Sequence, residues 1–129
     1  MQTIAQNNYY ELKYDENKNR VYFKIFGFWQ SMSEVPNYHS DMEKTAQKTK
    51  PGFTMVSDVR QMKTPPNEVG EAHGKAQQRM VKAGLKKTAD VVTSSLLNMA
   101  TRRYAKSSQM PRESFASIEE AERWLDKES

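Results

Sequence analysis

A chain of 129 residues, 36% of them hydrophobic and none of them cysteine, is of a size to form one domain and bury a core without a covalent staple. Without thiols it has no disulfide, no thiolate metal site and no cysteine nucleophile, and its apolar runs of about five residues are far too short for a membrane span. Its net charge of +4 comes from 20 basic and 16 acidic residues.

In chain order, Met1 to Asn8 carries neither a basic cluster nor a hydrophobic block. It does not read as a signal peptide, and the expectation is a mobile polar arm on a cytoplasmic protein, with one domain over 9–129. From Tyr9 to Tyr14 apolar and polar residues alternate, the period of a half-buried strand. The polar run Asp15-Glu16-Asn17-Lys18-Asn19 turns it into a second strand, Arg20 to Phe28. There Val21, Phe23 and Ile25 share one face, and Tyr22, Lys24, Phe26 and Phe28 the other. Ser31 or Ser33 is expected to cap a helix carrying Val35, Tyr38 or His39, Met42 and Ala46, which Pro51-Gly52 ends.

Phe53 to Val59 reads as a third strand, apolar until Asp58, and Thr64-Pro65-Pro66-Asn67 breaks the chain. Asn67 or Thr64 is expected to cap a helix with Val69, Ala72, Ala76, Met80 and Ala83 at helical spacing, closed by Gly84. Ala89 to Thr93 is a short β-branched strand. Ser94 or Ser95 caps a third helix bearing Leu96, Leu97, Ala100 and Tyr104. An extended piece near Arg112 to Phe115 leads to Ser117, which with Glu120 forms a capping box. The last helix carries Ile118, Ala121, Trp124 and Leu125 on one stripe. The order β-β-α-β-α-β-α-(β)-α implies an α/β fold: a small, mainly parallel sheet with right-handed crossover helices and an N-terminal antiparallel hairpin strand.

Two strings carry a family resemblance. Phe53-Thr-Met-Val-Ser-Asp58 is similar to the apolar, Asp-ended strand of the STAS superfamily, the fold of sporulation anti-anti-sigma factors and sulphate-transporter tails. Phe115-Ala-Ser-Ile-Glu-Glu-Ala-Glu-Arg-Trp-Leu125 resembles the ending of STAS-like proteins grouped with CRAL-TRIO lipid-binding folds. The resemblance implies a STAS-like fold. The phosphoswitch of the anti-anti-sigma branch is not implied, because Met62 to Gly70 lacks the Asp-Ser-Ser-Gly acceptor and Thr64 precedes two prolines.

Candidate chemistry is sparse. His39 and His73 lie on expected helices without the spacing of a metal pair, and are expected to be partly exposed. No metal or cofactor site is expected. Asp58, Arg60, Thr64, Asn67, Ser94 and Ser95 fall where strand ends meet helix starts, a rim where open sheets bind ligands and helix N-termini favour anions. Helix capping accounts for the same serines and asparagine. Between Gly74 and Arg112 nine basic residues stand against the single acid Asp90. This points either to an anionic partner or to cations complementing helix dipoles. Aromatics are not interleaved with them, which argues against nucleic acid. Tyr22, Phe26 and Phe28 form an apolar patch needing a cover: a loop or the N-terminal arm, a second copy in a homodimer, or an apolar ligand.

The sequence is best read as a non-enzymatic regulatory or ligand-binding module, taking a small apolar or anionic ligand or a protein partner. The alternative is a small hydrolase or transferase working through the Asp58, Arg60 and Ser94 rim.

Overall fold

The alternation that begins at Tyr10 does build a hairpin, but it stands inside a larger sheet. A computed structural model describes the backbone of residues 1–128 and every side chain among them except Leu96, Leu97, Tyr104, Ala105, Ser107, Ser108 and Glu128. The strands are β1 (Gln2–Gln6), β2 (Tyr10–Asp15), β3 (Arg20–Gly27), β4 (Thr54–Met62), β5 (Lys87–Val91) and β6 (Arg112–Phe115). The helices are α1 (Tyr38–Lys48), α2 (Asn67–Ala83), α3 (Ser95–Ser108) and α4 (Ile118–Glu128). The strands lie in sequence order, β1 to β3 antiparallel and β3 to β6 parallel.

Residues 2–6, expected as part of a polar arm, form the edge strand β1 on β2, with a register shift between Thr3 and Ala5. A bulge of this kind twists an edge away from further pairing. Periodicity misses this strand because an edge strand with little burial needs no apolar face.

Three helices cover one face of the sheet. Tyr10, Leu12 and Tyr14 of β2 and Val21, Phe23 and Ile25 of β3 join Tyr38 and Met42 of α1 and Val69, Ala76 and Met80 of α2 in the larger core. Each large aliphatic side chain buried there contributes roughly 1.5–3 kcal/mol. The other face receives α4 alone, whose Ala121 and Leu125 pack on Val56, Ala89 and Val91. The expected last-helix stripe therefore docks, but its first member, Ile118, stays 37% exposed. The Trp124 ring is covered by the Lys87 ammonium, 4.2 Å from its centroid. Buried Arg20 ties α4 to β3, donating from Nη1 to Glu122 at 2.6 Å and pairing with Asp126 at 3.0 Å.

Several helix starts differ from expectation. Ser31 and Glu34 frame only a 3-10 turn over Met32–Glu34, and α1 begins after Pro36, at Tyr38. The proline ring fixes φ and removes a donor, so the regular helix waits until it is passed. Pro66, in extended conformation, occupies the N-cap of α2, and Asn67 is its first helical residue rather than its cap. The Ser117–Glu120 box forms as expected, with the Glu120 amide donating to Ser117 Oγ at 3.2 Å. Leu96, Leu97 and Tyr104 of the α3 stripe lie outside the described side chains, while Ala100 is buried. Gly84 ends α2 at φ +107°, and a Cβ there would meet Pro51 Cα at 2.7 Å. Only glycine tolerates both the left-handed backbone and that approach.

Candidate functional site

Parallel register sets the first candidate site. Ser57 of β4 pairs with Asp90 of β5, and Asp90 with Ser114 of β6. Alternation turns the side chains of Ser57, Asp90 and Arg112 toward α2 and α3. Arg112 donates from Nε to Asp90 Oδ2 at 2.7 Å, and from Nη2 to Asn98 Oδ1 at 2.9 Å and Thr101 Oγ1 at 3.3 Å. One guanidinium thus fastens strand β6, strand β5 and helix α3 together. Burial pushes the Asp90 carboxyl above its ordinary range, against the pull of the Arg112 charge and the hydroxyl of Thr101.

Beside this pair, Tyr38 and His73 share a hydrogen bond of 2.8 Å between the tyrosine oxygen and Nδ1. His73 is 3% exposed, where the sequence suggested a partly exposed helix residue. Tyr38 and Trp29 pack against its ring at centroid distances of 5.4 and 5.0 Å. Burial, and secondarily the charge of His39, lowers its pKa from 6.5 to about 4. The folded protein therefore holds this imidazole neutral, while the unfolded chain protonates it below about pH 6.5. Stability is full above pH 6.5 and lost as pH falls toward 4, by about 3 kcal/mol in total. Urea midpoints of wild type and His73→Gln between pH 7 and 4 test this. The wild-type loss should exceed that of the variant by about that amount, and parallel curves would refute it.

Tyr38, Ser57, His73, Gln77, Asp90 and Thr101 supply the polar lining of a partly enclosed cavity of about 20 Å³. Phe23, Ile25, Met42, Met55, Val59 and Met62 supply its apolar walls. Ser57 is 8% exposed.

The rim expected from the sequence is not gathered in this way. Asp58 pairs in register with Val91, on the α4 side of the sheet and opposite Ser57. Its carboxylate is taken by Arg60, with Nε to Oδ1 at 3.0 Å and Nη2 to Oδ2 at 2.9 Å. Burial alone would raise the Asp58 pKa, but these bonds and the Arg60 charge hold it below the ordinary carboxylate range. Thr64, Asn67, Ser94 and Ser95 are exposed, the first in the loop after β4 and the others at the starts of α2 and α3. The aromatic patch is also divided. Tyr22 donates its hydroxyl to Glu122 at 2.8 Å and packs into the α4 cluster, so α4 covers it rather than the arm or a loop. Phe26 is half-buried, with the Lys24 ammonium 5.4 Å from its centroid. Phe28 lies beyond Gly27, whose φ of +65° ends the alternation, and it is 44% exposed.

The second candidate surface is the outside of α3. Met99, Arg102, Arg103 and Lys106 recur at helical spacing on one exposed stripe. Met99 is 60% exposed, and the three cations form no ion pair among the described residues. Elsewhere in the basic stretch Arg79 is held by Glu43, Lys87 by the Trp124 ring and Arg112 by Asp90. The lone acid of the stretch is thus buried, and the charge that α3 shows outward is of one sign. Sequence reading found the basic bias but missed Ser57, His73, Asp90 and Arg112 as a group. The one local signal was an aspartate inside the apolar strand Ala89-Asp90-Val91.

Sheet order, hairpin and crossover helices together define the SpoIIAA-like, or STAS-like, fold. A crystal structure of an uncharacterized protein of the DUF3478 family with a SpoIIAA-like fold, from Shewanella loihica PV-4, superposes with a TM-score of 0.61. The match covers 94% of this chain and 97% of that one at 15% identity, so the likeness is one of fold. No protein-family model matches the chain, and no curated protein matches it significantly.

Proposed function

We propose that this chain is a non-catalytic binding module that docks an acidic protein partner through the outer face of α3. The observation that carries this reading is the stripe of Arg102, Arg103 and Lys106 that follows exposed Met99 along the helix. An exposed apolar side chain at the end of a charged stripe suits a protein interface, where methionine and arginine are enriched. Single-sign charge also steers an oppositely charged partner during encounter.

Against the hydrolase alternative stands Asp58, already committed to Arg60. Turnover of generic esterase or phosphatase substrates would defeat the non-catalytic reading. A homodimer through the aromatic face has less support, since α4 already covers Tyr22.

The direct test is a fluorescent oligoglutamate peptide titrated against wild type and against Arg102→Glu/Arg103→Glu/Lys106→Glu, with duplex DNA and phosphatidylserine vesicles in parallel. Wild type should bind the peptide more weakly as salt rises, and the variant should lose roughly tenfold or more in affinity at an unchanged melting temperature. Equal binding by the variant, or tighter binding to DNA or vesicles than to peptide, would overturn the proposal.

A further inference from the structure

The cations of α3 divide between the open stripe and a groove beside it. Arg102 and Lys106 stand four residues apart, on one row of the helix with Asn98. Arg112 reaches the same row from β6, donating from Nη2 to Asn98 Oδ1 at 2.9 Å and Thr101 Oγ1 at 3.3 Å. Together with Gln109 and Met110, these three cations line an open groove of about 460 Å³, and Arg103 lies outside its lining. Gln109 follows α3 at φ +59°, and its amide donates to the Lys106 carbonyl at 3.3 Å. The chain turns there into β6, which brings Arg112 back alongside the helix.

Arg112 is the fixed member of the three. Its side chain is 9% exposed, and Nε and Nη2 are held by Asp90, Asn98 and Thr101. Nη1 takes no part in these bonds, and among the described residues no unbonded side-chain nitrogen or oxygen is shut off from solvent. The guanidinium therefore keeps one amino group open, in an orientation set by three protein partners. Charge then selects the ligand. Asp90 offsets Arg112, so the described lining carries two uncompensated positive charges, Arg102 and Lys106, and no acid. A phosphate monoester carries about −1.5 to −2 charges near neutral pH and offers three acceptor oxygens, one for each cation. A carboxylate brings a single charge and two oxygens.

We infer that this groove seats a phosphorylated serine or threonine of the protein partner, with phosphate oxygens on Arg102, Lys106 and Nη1 of Arg112. The inference rests on the docking face proposed above and gives it an anchor, since charge-assisted bonds from arginine to phosphate are strong and directional.

The test titrates the full chain with fluorescent peptides of one acidic sequence that carry serine, glutamate or phosphoserine at the centre. The phosphoserine peptide should bind roughly tenfold tighter than the serine peptide, and about threefold or more tighter than the glutamate peptide. Arg102→Gln/Lys106→Gln should abolish that preference at an unchanged melting temperature, whereas Arg103→Gln should weaken every peptide alike and leave the preference intact. Equal affinity for the phosphoserine and glutamate peptides, or a preference that survives in the double variant, would overturn the inference. The docking reading would still stand in that case if oligoglutamate loses affinity when the α3 charges are reversed. Tighter binding to vesicles containing a phosphatidylinositol phosphate than to the phosphopeptide would also overturn it, in favour of a lipid headgroup.

Discussion

Trp29→Ala is expected to destabilise the protein by about 3–5 kcal/mol, the range for removing a fully buried aromatic side chain. For a chain of this length that corresponds to a fall in melting temperature of roughly 10–20 °C. Trp29 is 1% exposed although it follows the end of β3 and belongs to no regular element. Its ring packs on Tyr10 at 5.7 Å, Tyr38 at 5.1 Å and His73 at 5.0 Å, joining β2, α1 and α2. Its Nε1 donates to the carbonyls of Tyr9 and Phe26, both at 3.2 Å, so the ring also fixes the turn that leaves β3. Alanine would open a cavity where three elements converge and leave those carbonyls to find other donors. Trp29→Phe, which keeps most of the packing and loses only the donor, should be much milder. A thermal melt of Trp29→Ala indistinguishable from wild type would show that the loop does not hold the core.

Arg112→Ala carries the second large effect, also about 3–5 kcal/mol, because it strands a buried carboxylate without its counter-charge. Asp90 is 3% exposed and its partner guanidinium also bonds Asn98 and Thr101. Losing it would loosen α3 and the edge strand β6 together. Removing both charges should be gentler, since a buried pair replaced by apolar groups of similar size is often neutral. The double variant Asp90→Leu/Arg112→Met should therefore recover much of the stability that Arg112→Ala loses, as judged by guanidinium titration. If the double variant is no more stable than the single one, the pair is not the reason for the loss.

Local sequence determined most of the element order. Alternation at Tyr10, Leu12 and Tyr14 and again at Val21, Phe23 and Ile25 assigned both strands and their buried face, because a half-buried strand must alternate. Helical spacing in α2, the stop at Gly84 and the Ser117–Glu120 box were legible for the same reason: each is fixed by residues within a few positions of one another. The start of α1 was not, because Ser31 and Glu34 do cooperate, but only across a single turn before Pro36.

What covers a face, and which polar groups meet, depended on tertiary structure. Tyr22 was placed on the correct side of β3, yet its cover is α4, contributed from about a hundred residues further on through Glu122. Phe28 stands exposed beyond the point where Gly27 takes a positive φ, which no pattern of side chains announces. The six residues of the expected rim share a topological address, but the pleat sends Asp58 to one face and Ser57 to the other. Ser57, His73, Asp90 and Arg112 come from four different elements, and only Asp90, inside an apolar strand, stands out from its neighbours in sequence. They meet because parallel strands pair in one register and right-handed crossovers lay α2 and α3 over the same face. Burial then gives the group its chemistry, a neutral imidazole and a paired carboxylate, and burial is a property of the assembled fold.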